Sequence, residues 1–535
     1  MATKVIDNNE ARVPFLGDKI SFITGLDPLG LQNPSTQMYS YLLPGLNNVT
    51  NAIRNYSFYC WLLSEYAKSI TSTDPKLQKQ FIRRAEYIIA LLSVYAEIQG
   101  ISGSTYATFR LNEGDEIDLE KGTYNTDGST DKTYWQYHYG VFGQYYFGSL
   151  RQIGLIEEPV NEKGEFIGIY RRTARCEKLK ISGEDLADAF ESAIKKTENK
   201  SLFLTSIRNG KITKTDLVSL AEDFNLRKEG IDSAERVLLT QLLCENDEPL
   251  SSLAEPLSMR KETIVHVLKF ISEGNSLDNQ HAFTKYAYRT KAKDVAGQWD
   301  ECMTGWYYYQ LNEYWQVACT AIFNGCLDLL QEQKGPGWMS LPELIETCNE
   351  KIIAYLSEKE LINTTNQSVS LSLESIALGE EELYENIRKH RQVKRMSYGF
   401  LLIWKLYQAN REFFPELKQY TDNRNIGNND DVLAYFLNVG KSAELSISQF
   451  IPLFLSARII SRHMLVAYRK MGIGSQTTQK FIIEDNYIRH TGNFDPYFTS
   501  PRIASLTTFL KDLSLITNEY QLTTHGVSLL NQFDI

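Results

Sequence analysis

The sequence predicts a mainly α, multidomain protein with small β-hairpins, in which at least two helix–hairpin–helix modules bracket a helical middle. Three observations lead there. Long apolar stripes recur at helical spacing, such as Val49, Ala52, Ile53, Tyr56, Tyr59, Leu63 and Tyr66. One phrase occurs twice in frame, as GSLRQIGLIEE (Gly148–Glu158) and as TTFLKDLSLITNE (Thr507–Glu519). Each copy is followed by extended residues, a turn and then L-x-x-x-G-x-x-L-x-x-x-F. That pattern is Leu179, Gly183, Leu186 and Phe190 in one copy, and Leu522, Gly526, Leu529 and Phe533 in the other.

Length and composition bound the answer. The 535 residues suffice for three or four domains, and 43% hydrophobic with 23% charged residues is globular rather than disordered. A net charge of −10 argues against a protein that coats nucleic acid freely, so any such contact must come from a local patch. Seven cysteines without C-x-x-C spacing read as reduced thiols. The start MATKVIDNNEARVPFLGDK lacks a secretory pattern, and no apolar run is expected to span a membrane. A cytoplasmic location is expected.

Taken in order, Leu42–Lys68 reads as one long helix, apolar around much of its circumference and therefore buried. Arg54 within it is read as a structural ion pair or a snorkelling side chain, ahead of a phosphate or carboxylate clamp. Residues 103–133, rich in Gly, Asp, Thr and Glu, read as an acidic surface loop or a long hairpin, without calcium-loop spacing. The first module follows. PVNEKGEFIGIYRR supplies two strands around a turn at Asn161–Gly164. In the C-terminal copy, Ser500 is the expected N-cap and Pro501 the first-turn residue. Between them, Asp232–Gly274 reads as three short helices, the second around Leu250–Glu255. Residues from Phe283 to Asn438 read as mostly helical. There, the aromatic stretch Gly305–Phe323 is a packing core ahead of a base-stacking surface. The segment Ile447–Gly474 is another largely buried helix. The implied boundaries are 1–100, 101–200, 201–280, 281–440 and 441–535.

The repeated phrase resembles the winged-helix fold, in which L-x-x-L-x-x-x-G-L-I followed by L-T-x-x-G-x-x-L recurs; the Asp232–Gly274 segment resembles a helix-turn-helix core. The resemblance implies binding of DNA, of RNA or of protein. Carried onto this chain, the candidate nucleic-acid contacts are the wing residues Arg171, Arg172, Arg175, Lys178 and Lys180, with Arg502 and Lys511 in the last module. A solvated hairpin edge is an equal reading for the wing. The run IRKHRQVKRM adds Arg388, Lys389, Arg391, Lys394 and Arg395, which on a helix would grip phosphates or an acidic partner, or form a solvated face.

Enzyme motifs are missing: there is no P-loop, no G-x-S-x-G and no H-E-x-x-H. The acids of EIDLEK, and Glu484-Asp485 beside His490, are only loose groupings for a nuclease. No cofactor, metal or catalytic residue is expected. The general character resembles accessory subunits of prokaryotic defence or DNA-handling systems. It implies a non-enzymatic nucleic-acid-binding or scaffold subunit, with an ATPase or nuclease subunit as protein partner, DNA as a further ligand and oligomerisation open. The alternatives are a winged-helix transcription regulator and a divergent metal-dependent nuclease.

Overall fold

The computed structural model describes residues 27–533, apart from 51, 99, 178, 228–230, 246–257, 291–299, 333–337, 363–367, 370–375, 428–430, 439–443 and 471–477. Helices dominate. Strands form two antiparallel pairs and one three-stranded antiparallel sheet. The chain divides into two compact units. One is Met1–Gln37 with Tyr308–Thr499, and the other is Met38–Tyr307 with Ser500–Ile535.

The second unit contains both copies of the repeated phrase. In each, a helix ends in a residue of positive φ, Gly154 (75°) or Ser514 (57°). The next amide then reaches back to the helix, Leu155 N to Leu150 O at 2.9 Å and Leu515 N to Leu510 O at 2.8 Å. A threonine on the returning strand closes both hairpins. Thr173 Oγ1 donates to Gly154 O and Thr523 Oγ1 to Ser514 O, and each threonine in turn accepts from the amide of Gly183 or Gly526. The glycines then open the helices Gly183–Ala193 and Thr524–Phe533, or lie at their start. Even the last aromatic matches, since Arg54 lies 4.7 Å over Phe190 and Lys261 lies 4.5 Å over Phe533. The order helix, short hairpin, helix is thus as expected in both copies. One pairing differs. Ile156 pairs with Arg172, whereas Ile516 bridges Leu522, so Arg172 and not Leu179 stands where Leu522 does. A longer connection between Thr173 and Gly183 hides this in an ungapped alignment.

Around the modules the core is aromatic. Trp61 and Phe58 of the helix Arg54–Ser69 meet Phe190, Phe203 and Phe224, and the last two stack at 4.2 Å. Arg54 and Glu235 are buried beside this cluster and paired at 3.1 Å, and Arg54 also donates to Asp223 O and Asn225 O. The structural reading of Arg54 therefore holds. The helix itself starts at Arg54 rather than near Leu42, because Asn47 Oδ1 accepts from the amides of Val49 and Thr50 and turns the chain first. The acidic stretch is also not a plain loop. It folds into the helices Ser104–Leu111 and Leu119–Thr123, and its strand Glu116–Asp118 pairs with the distant Lys211–Thr213. Asp118 caps the second of these helices.

In the first unit, residues from Tyr308 of the helix Glu301–Gln331 are buried almost throughout. Its aromatic stretch is core, as expected. Its polar side chains form a stripe of Glu313, Gln316, Thr320 and Asn324, all buried. The stripe holds an extended segment. Glu313 accepts from Thr499 N and Oγ1 at 2.5 and 2.6 Å, Gln316 donates to Tyr497 O at 3.2 Å, and Phe498 stacks on Tyr384 at 4.1 Å. Burial pushes the Glu313 carboxyl up to about 7, against the opposing hydrogen bonds of Ser35 and Thr499. A raised folded-state pKa contributes stability below the unfolded value, which is lost as pH rises through the folded value. The melting temperature of wild type relative to Glu313→Gln is therefore expected to fall between pH 5 and about 7, by an amount equivalent to about 3 kcal/mol at most. A pH-independent difference would contradict this.

The helix Ile447–Lys470 packs in the same unit. Contrary to the expectation of no membrane-length apolar run, it is long and apolar enough to cross a membrane by length and composition, yet 56% of that window is buried in the protein. Its His463 donates from Nδ1 to Pro28 O and accepts at Nε2 from Lys480 N, and burial lowers its pKa to about 4, so it is a neutral core residue.

Candidate functional site

The first module's hairpin is the candidate that sequence and structure share. Strand Ile156–Glu157 pairs with Arg171–Arg172, a bridge joins Val160 to Phe166, and Asn161 and Gly164 make the turn. The hairpin lies against an aromatic row. Tyr170 touches Phe166, Phe147, Phe142 and Tyr139 at centroid distances of 4.7–5.6 Å. Gln78 brackets the Tyr170 backbone, donating to its O and accepting from its N at 2.8 Å each. This pins the base of the hairpin and leaves Val160 59% and Phe166 42% exposed near its tip.

Two members of the basic cluster after the turn, Arg172 and Arg175, are paired with acids. Arg172 bonds Glu184 at 3.0 Å and Ser64 at 3.2 Å. Arg175 pairs with Asp185 at 2.6 Å and with Asp188. The Arg175 amide, then both guanidinium groups, hold the Glu184 carboxyl below its usual range. These acids are the first turns of the helix Gly183–Ala193, where Asp185 also closes a capping box with Ser182. Arg171 and Lys180 are exposed, and Lys178 lies outside the described residues.

The other candidate bases are placed as follows. Arg502 is held within its own unit. It takes positive φ (63°) as the N-cap of the helix Ile503–Asp512, donates to Leu43 O and Ser40 Oγ, and covers Tyr39 at 4.6 Å. Ser500, the expected cap, instead bonds Asn48 and Gln280. Lys511 folds over Tyr520 at 4.0 Å and reaches Asn518 O. In the middle segment the helices Ser233–Glu245 and Ser258–Ser272 form as expected, while the short helix expected around Leu250–Glu255 falls outside the described residues. Arg260 there is buried and donates to the carbonyls of Leu242, Leu243 and Pro44.

The run 387–396 is not on one helix. A helix ends at Lys389 and another starts at Gln392, whose φ is 53°. Arg395 is buried at this corner and ties the carbonyls of Ile387 and His390 to Asn324 and Asp495. Arg391 also pairs with Asp495, and Arg388 with Glu385, while Lys389 and Lys394 are exposed. The loose nuclease groupings are dispersed too. Glu120 pairs with Arg84 and Glu116 with Lys211, and Asp485 sits on a hairpin turn at φ 49°. Among the described residues no group of three or more His, Cys, Asp or Glu gathers as a metal site.

Sequence reasoning missed the exposed apolar tip, because Val160 and Phe166 fit a buried strand face equally well. It also missed a cleft lined by Arg236 and His525, which are separated by half the chain. Compared with protein-family models, curated proteins and solved structures, the chain matches none.

Proposed function

We propose that this chain is a non-enzymatic scaffold subunit of a prokaryotic multi-protein DNA-handling or anti-phage complex, in which winged-helix modules dock protein. The observation that supports docking over a phosphate grip is the balance of the first wing. Its Arg172 and Arg175 are held by Glu184, Asp185 and Asp188, while its tip exposes Val160 and Phe166. A wing that tracks phosphates keeps its cations available to replace counterions. An exposed apolar tip is instead what a protein partner buries. Membership of a DNA-handling or anti-phage complex rests on the general character of the sequence.

The test is co-expression with the products of adjacent genes, an ATPase or nuclease subunit among them, followed by gel filtration. A stoichiometric complex is expected, and Val160→Asp/Phe166→Asp is expected to weaken it by about thirtyfold, the effect of losing about 2 kcal/mol at an anchor. Val160 is 59% exposed, so Val160→Asp alone is expected to melt as wild type does, while the double variant, which also removes the Phe166 ring from Tyr170, is checked for an unchanged circular dichroism spectrum. A complex untouched by the double substitution contradicts the wing as the docking element.

A further inference from the structure

A second surface, remote in sequence from the wing, carries its own inference. In the second unit a cleft of about 310 Å³ opens between the helix Ser233–Glu245 and the C-terminal hairpin with its last helix, Thr524–Phe533. Its floor is apolar: Leu513 and Leu515 come from the repeated phrase, and Leu529 from the closing helix. Val237, half exposed, stands at its edge. Arg236 and His525 also line it, from different elements. The Arg236 guanidinium has no ion-pair partner among the described residues, and no described acidic side chain lines the cleft. That is a local reversal in a chain with 66 acidic against 56 basic residues. Amide and hydroxyl groups of Gln241, Gln532 and Ser528 complete the rim.

We propose that this cleft is a docking site for an acidic, aliphatic peptide segment of a partner protein. An aliphatic side chain would rest on Leu513, Leu515 and Leu529, and a neighbouring carboxylate would meet Arg236, whose planar fork suits bidentate pairing. The rim amides match peptide groups on either side. The volume lies at the lower end for ligand sites. Exposure of Val237, His525, Ser528 and Gln532 leaves the rim open for a chain to enter and leave. An isolated charged side chain on the surface would be neutral in effect. Here the arginine adjoins an apolar floor, where a paired carboxylate is partly desolvated and counts for more.

The experiment is selection of a random peptide display library on the full chain, followed by fluorescence anisotropy with the enriched peptides. Enriched peptides are expected to combine Asp or Glu with Leu, Ile or Val. Arg236→Glu and, separately, Val237→Asp are each expected to weaken binding about tenfold, equivalent to about 1.4 kcal/mol. Neither side chain is buried, so unchanged circular dichroism and melting are expected for both variants. Because the wing shares no residue with the cleft, Val160→Asp/Phe166→Asp is expected to leave peptide affinity unchanged, and failure here leaves the wing test intact. The proposal is overturned if nothing is enriched, if enriched peptides are basic or lack acids, or if both cleft variants bind them as wild type does.

Discussion

Glu235→Gln is expected to destabilise the second unit by about 3–5 kcal/mol, the usual consequence of removing one partner from a buried ion pair. Glu235 and Arg54 are both almost fully shielded from solvent, and the carboxylate also takes the Ser57 hydroxyl. With the carboxylate replaced by an amide, the guanidinium keeps neutral acceptors only, the amide oxygen and the Asp223 and Asn225 carbonyls, and its charge is left uncompensated inside an aromatic core. Arg54→Met should cost a comparable amount. The double variant Arg54→Met/Glu235→Leu should recover a large part of either loss, because an apolar pair avoids the desolvation cost that the ion pair carries. Urea unfolding followed by tryptophan fluorescence reports this directly, since Trp61 contacts Phe190, over which Arg54 lies. A single-variant loss below about 1 kcal/mol would show that the pair is solvated.

The second large effect concerns two glycines. A helical Gly→Ala change ordinarily stabilises by up to about 1 kcal/mol. At Gly183 and Gly526 the sign should reverse. A Cβ at Gly183 would lie 2.2 Å from Leu155 O, and one at Gly526 would lie 2.1 Å from Leu515 O. Backbone carbonyls that accept from Thr173 and Thr523 cannot retreat without opening both hairpins. Each Gly→Ala substitution is therefore expected to cost about 1–3 kcal/mol, read as a lowered melting temperature. The matched pair of results also tests whether the two modules are built alike, because neither glycine has a positive φ that would explain the residue otherwise.

Much of this architecture was legible because it is local. The phrase ending Gly154-Leu155-Ile156 encodes a helix stop and a strand start, and so does Ser514-Leu515-Ile516. The glycines Gly183 and Gly526, each four residues after a leucine, mark where helix backbone approaches strand backbone, although Leu179 and Leu522 are not equivalent in the hairpins. What sequence could not give is what closes at long range. Nothing near Arg395 predicts Asp495, and nothing near Arg502 predicts Tyr39 and Ser40, so both read as free cations until the fold supplies partners. Arg175 is the instructive intermediate case. Its partners Asp185 and Asp188 are close in sequence, but only the return of the strand onto the helix start brings them together. The strand Glu116–Asp118 was illegible for the same reason, since its mate lies at Lys211–Thr213. The cleft between the helix Ser233–Glu245 and the last module joins residues from both kinds of distance, which is why Arg236 and His525 carried no signal of their own.

In the proposed role the modules dock protein and do not grip phosphates. The most direct measurement is binding of the purified chain to labelled duplex and single-stranded DNA across a salt series, for wild type and for Arg171→Glu/Arg172→Glu. No salt-steep binding is expected for either, because Arg172 and Arg175 are held by Glu184, Asp185 and Asp188, which leaves Arg171 as the one exposed, unpaired arginine described on the hairpin, too few to release many counterions. Tight binding at low salt that falls steeply with added salt, and that the wing variant abolishes, would contradict it.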